Sequence, residues 1–91
     1  MDLKTCREQL DVIDKQLVTL LEERMKISAF VAEDKLRTGK PILDREREEQ
    51  KLDAVEEMTE GALHKAPMRS IFTEIMRSSR ELQEAWQKGE R

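Results

Sequence analysis

Residues 3–37 read LKTCREQLDVIDKQLVTLLEERMKISAFVAEDKLR, a run with no Pro and no Gly. Apolar residues recur at Leu3, Cys6, Leu10, Ile13, Leu17, Leu20, Leu21, Ile27 and Val31. Steps of three and four make one stripe along one long helix. Arg7, Arg24 and Lys35 fall on or beside that stripe. Taking a charge out of water costs several kcal/mol in effective terms, so a stripe meant for burial should not carry unpartnered cations.

The helix has clear limits. Asp2 or Thr5 can cap its start, and Thr5 with Glu8 has the spacing of a capping box. Gly39 and Pro41 stop it, the first by adopting a left-handed conformation and the second by blocking continuation. A helix from about Thr5 to Arg37 is roughly 50 Å long, whereas a compact monomer of this size has a diameter of only about 30–35 Å. Covering it needs a second chain, most simply in a two-fold dimer of paired long helices. The alternative is a kink near Ser28-Ala29.

Beyond Pro41, Ile42 and Leu43 form a short extended connection, and Asp44 is placed to cap a second helix from about Arg45 to Thr59. Leu52, Val55 and Met58 mark its buried face, and four residues back from Leu52 the same stripe carries Glu48. Gly61 is expected to end it, with a linker through His64 and Lys65. Pro67 suits the first turn of a third helix reaching about Gln87, with Met68, Ile71, Phe72, Ile75, Met76, Leu82 and Trp86 inward. Ser79 and Gln83 lie on that inward stripe, one turn apart.

Composition agrees with a helical domain. The 91 residues are 41% charged and 3% aromatic, with a net charge of −3 from interspersed signs, so no basic stripe for nucleic acid is present. Cys6 is the single cysteine, which excludes an intrachain disulfide and suits a reducing compartment; on the stripe, its role is packing. No apolar run spans a bilayer, and the N-terminus lacks a signal-peptide pattern. The expectation is one cytoplasmic domain over residues 1–91, with no membrane or nucleic-acid partner. His64 reads as a solvated loop residue.

Singly, each polar intrusion has a structural explanation: Arg7 at a helix end, Arg24 beside Glu23, Glu48 in a solvated first turn. Together, three helices donate polar groups to one inner side, which suits a polar ligand between them. Arg24 and Lys35 are separated by about 20° of rotation and roughly 16 Å along the helix, so both can grip one small molecule. Arg7 lies roughly 25 Å from Arg24 and would serve a site on a neighbouring chain. Cations with a carboxylate, a hydroxyl and an amide call for a compact anionic ligand bearing several carboxylates or phosphates and a hydroxyl. With no paired general base, nucleophile or metal set, chemistry there proceeds by positioning and charge stabilisation.

The arrangement Arg7-x6-Asp14, Glu23-Arg24, Lys35, Pro41-x2-Asp44-x2-Arg47-Glu48 and Ser79-x3-Gln83 resembles the all-helical class of chorismate mutases, over nearly the whole chain. The resemblance implies an all-α fold of one long, one short and one medium helix per chain in an intertwined homodimeric bundle. It implies conversion of chorismate to prephenate without a cofactor or metal, in phenylalanine and tyrosine biosynthesis. By the same resemblance, Arg24 and the partner chain's Arg7 bind the substrate carboxylates with help from Ser79. Lys35 and Gln83 hydrogen-bond the ether oxygen; Glu48, with Asp44, holds the ring hydroxyl; Arg47 sits close to a carboxylate; Asp14 supports the arginines. Two other readings compete: an isochorismate pyruvate lyase on this scaffold, and a non-catalytic helical dimerisation or regulatory module.

Overall fold

The first helix runs unbroken. In a computed structural model covering residues 1–91, α1 spans Leu3–Thr38, α2 Arg45–Met58 and α3 Lys65–Gln87, with a single 3₁₀ turn at Ala62–His64 before α3. There is no kink at Ser28-Ala29. Asp2, and not Thr5, is the cap: its side chain accepts the Thr5 N–H at 2.7 Å. That bond holds the Asp2 carboxyl below the ordinary aspartate range. At the other end Gly39 takes φ 76°, and the Gly39 and Lys40 amides both close on the Lys35 carbonyl.

α2 begins as expected, with the Asp44 side chain accepting the Arg47 N–H at 3.0 Å and Glu46 and Glu48 in the first turn, where the helix dipole favours anions. Its end falls where expected, but Gly61 is not the residue that ends it. Thr59 closes the helix, Gly61 opens the 3₁₀ turn, and the expected linker is ordered by the His64 N–H bonding the Gly61 carbonyl at 2.9 Å. α3 starts at Lys65, two residues before Pro67. Lys65 also explains how α2 ends without basic residues in its last turn. Its Nζ donates to the carbonyls of Glu56 and Thr59, at 2.5 and 2.6 Å, capping α2 from the neighbouring helix.

α3 is the element on which the others pack: α1 lies along one side and α2 along the other. Small residues let α1 approach closely. Ser28, Ala29 and Ala32 are its buried positions, Ala32 at 0% exposure. Leu52, Val55 and Met76 complete a thin core, fastened at the edges by Arg69, which pairs with Glu49 and with Asp53 (3.1 Å). Near the end of α3, Gln87 Nε2 donates to the Ala32 carbonyl at 2.9 Å and Trp86 Nε1 to Glu33 at 3.0 Å.

Two residues expected inward are not covered within the chain: Met58 is 69% and Ile71 53% exposed. The same holds along α1, where Leu3, Leu10, Leu17, Leu20 and Ile27 stay exposed. The chain measures 52 × 28 × 14 Å, with a radius of gyration of 16.0 Å, against about 12 Å for a compact chain of this length. No helix is long and apolar enough to cross a membrane.

Candidate functional site

The polar positions of the three helices meet where the second half of α1, the start of α2 and the middle of α3 converge. They line a cavity of about 320 Å³. From α1 come Arg24, Ser28 and Lys35; from the entry to α2, Asp44, Arg47 and Glu48; from α3, Ser79, Arg80 and Gln83. Seven of the eight residues expected to form the site are therefore together. Arg7 is elsewhere, on the exposed first part of α1, as its distance along the helix required.

Each side chain is positioned by a local cause. Lys35 lies in the last turn of α1, where a cation meets the negative end of the dipole, and its Nζ donates to the Ile42 carbonyl at 2.6 Å. An ammonium has three donors, so two remain for a ligand. Asp44 is committed to capping α2, which fixes the first turn bearing Arg47 and Glu48. Arg24 is half-buried and lines both this cavity and an adjoining one of about 310 Å³, whose walls include Leu21, Met25, Ile71 and Ile75.

Ser79 and Gln83 are buried, the polar intrusion that the α3 stripe foretold. The Ser79 and Ser28 hydroxyls lie 2.6 Å apart, either able to donate to the other. Gln83 is 7% exposed, and its Oε1 is buried without a hydrogen-bond partner. An unpaired buried acceptor costs about 1–3 kcal/mol, a penalty that a purely structural core would not retain. A half-turn of the amide exchanges oxygen for nitrogen, so Gln83 can offer the cavity either an acceptor or a donor.

Sequence reasoning missed Ser28 and Arg80. Ser28 stands one helical turn after Arg24, and Arg80 one turn after Met76, so spacing alone places both on inward faces. Arg80 Nη1 forms an ion pair with Glu48 Oε1, both side chains about three-quarters buried at 27% and 24% exposure. Lys51 also lines the cavity. Five cations, Arg24, Lys35, Arg47, Lys51 and Arg80, thus face two carboxylates, Asp44 and Glu48. The resulting positive field suits a small ligand with more than one negative charge.

Other ion pairs on α3 are peripheral. Arg77 sits between Glu74 and Glu81; it holds the Glu74 carboxyl below the usual glutamate range, and both acids raise the already high value of the guanidinium. Asp14 makes no ion pair within the chain.

The same three helices carry the similarity to known proteins. An 81-residue stretch, 88% of this chain, is 31% identical to the bifunctional chorismate mutase/prephenate dehydratase of Buchnera aphidicola subsp. Baizongia pistaciae (strain Bp), of which it covers 22%. Over 46 residues, 50% of this chain, identity to the bifunctional chorismate mutase/prephenate dehydratase of Enterobacter agglomerans is 46%, covering 12% of that protein. The chain thus spans less than a quarter of these relatives' length. Residues 6–84 match the family described as chorismate mutase type II, a match that includes the whole convergence of α1, α2 and α3, and the chain belongs to that family.

Proposed function

We propose that this chain, acting as one mutase domain in a cytoplasmic two-fold homodimer, converts chorismate to prephenate on the route to phenylalanine and tyrosine, without a cofactor. The observation that carries the reading is the convergence of Arg24, Lys35 and Gln83, from two helices, on one cationic cavity with Glu48 opposite. The family and the bifunctional relatives named above support the same substrate.

The reaction is a Claisen rearrangement: one C–O bond breaks, one C–C bond forms, and no proton or electron leaves the substrate. It needs no acid, base or nucleophile. It does need the pyruvyl ether folded over the ring, and stabilisation of the negative charge that gathers on the ether oxygen as its bond breaks. Arg24, with Arg7 supplied by the partner chain and Ser79 beside it, clamps the carboxylates and meets the first need. Lys35 and Gln83 direct donors at the ether oxygen and meet the second, because fixed donors in a sheltered pocket bind the transition state more tightly than the substrate. Glu48, next to Asp44, accepts from the ring hydroxyl, and Arg47 lies by a carboxylate.

The dimer rests on surface and length. The chain exposes 7382 Å², whereas a compact monomer of this mass exposes about 5,500 Å². Many of the exposed apolar residues lie on α1, among them Leu10, Ile13, Leu17, Leu20 and Ile27, and a second chain would cover them. In such a pair the exposed first third of α1 reaches across the other chain and brings Arg7 to its cavity.

Incubation with chorismate and, separately, with isochorismate tests the activity. Prephenate from chorismate is expected. Pyruvate from isochorismate with no prephenate from chorismate would replace this reading with a lyase, and turnover of neither would leave a helical interaction module.

A further inference from the structure

Beyond its share in the positive field of the cavity, Arg80 has no role above, yet it stands on α3 between Ser79 and Gln83 and reaches across to α2. Its Nη1 binds Glu48 Oε1, with both side chains largely sheltered. Helix packing alone does not call for such a pair, since a sheltered ion pair gains little over two well-packed apolar side chains. The charges around it supply a reason. Asp44, the other carboxylate of the cavity, is held by the Arg47 amide. Glu48 would otherwise be a flexible anion facing Arg24 and Lys35 from α1 and Arg47 and Lys51 from its own helix. Swinging onto Arg24 or Lys35, it would neutralise a group that an anionic substrate needs.

We propose that Arg80 is a positioning residue for Glu48, holding one carboxylate oxygen so that the other is presented to the substrate's ring hydroxyl while the cationic clamp stays free. This rests on the mutase reading. The hydroxyl contact is the same in substrate, transition state and product, so its loss acts on binding and not on the chemical step.

The test combines kinetics with calorimetric titration of prephenate, which keeps the hydroxyl and both carboxylates and reports on the pocket without turnover. Arg80→Met should raise KM and the prephenate Kd about ten- to hundredfold, with kcat changed by less than about threefold. Arg80→Lys should recover most of the loss, because a single terminal nitrogen makes the contact. In a Glu48→Gln background, Arg80→Met should change the prephenate Kd by no more than about twofold, since it acts through a carboxylate no longer there.

An equal loss in both backgrounds would mean that Arg80 binds the ligand itself, overturning the proposal; so would unchanged affinity in Arg80→Met. If Arg80→Met does not fold, Arg80→Gln, which keeps length and polarity without the charge, carries the same comparison. An unsubstituted enzyme that makes no prephenate sinks the mutase reading and this inference together. An active one with an indifferent Arg80 sinks only the inference.

Discussion

Lys35 and Gln83 differ in how they donate, and that difference is measurable. Lys35→Ala or Gln83→Leu should lower kcat about a hundred- to a thousandfold, the usual loss when one preorganised donor to a developing oxyanion is removed. The dimer should be unaffected, as sedimentation would show. An amide donates whether or not acid is present, so activity should not require acidic conditions; a single ionisation that abolishes the rate between pH 5 and 8 in a folded dimer would contradict this role. In Gln83→Glu, only the protonated carboxyl can donate, and the rate should rise as pH falls. These residues were legible because each violates an apolar stripe. Arg80 was not, since a long charged side chain on such a face normally snorkels to solvent, and its pairing with Glu48 on the neighbouring helix cannot be read from the spacing of α3. Ser28 escaped because a small polar residue near a helix seam is unremarkable until its partner, Ser79, is known.

Among the elements, the helices and most of their caps follow from local rules, because Asp2, Gly39 and Asp44 each act within a turn of their position. The Asp2 carboxyl is held below its ordinary range by the Thr5 amide, so its contribution is present above the unfolded value of about 4 and is lost as pH falls through the lower folded value. Accordingly, protection of the Thr5 amide, taken relative to its intrinsic exchange rate at each pH, should fall in acid, and an Asp2→Ala variant should already lack it at neutral pH. What local rules missed was the join between α2 and α3. Lys65 closes α2 from outside, a contact nine residues away that no capping pattern describes. Lys65→Met should lower stability by about 1–2 kcal/mol, read as a fall in Tm and as fraying of residues 56–59.

For the whole molecule, α1's length against the size of a compact chain already pointed beyond a monomer, and the exposed face of α1 is the physical residue of that mismatch. Ile71 is the corresponding case on α3: its stripe was read as core, but it stands in the wall of the cavity it shares with Leu21 and Met25 and stays 53% exposed within one chain. Solution mass should be that of two chains, and apparent Tm should rise with concentration. Subunit mixing examines the shared site: Arg7→Ala and Arg24→Ala chains should each be nearly inactive, while mixed dimers regain one intact site. No recovery after confirmed exchange would remove Arg7 from the partner's cavity.

Ala29 and Ala32 carry no functional group, yet they act as the gauge of the cavity between the three helices. They are the spacers that set how near α1 lies to α3, with Ala32 wholly enclosed and its carbonyl bonded to Gln87. Helix axes sit about 8–10 Å apart according to the side chains at the contact, so enlarging a spacer moves one wall of the cavity relative to the other. Ala32→Val would change no lining residue and still detune the alignment of Lys35 with Gln83, where a displacement of about 1 Å can cost a hundredfold in rate. The methyl groups of two alanines thereby hold a tolerance that the charged residues depend on but cannot themselves enforce.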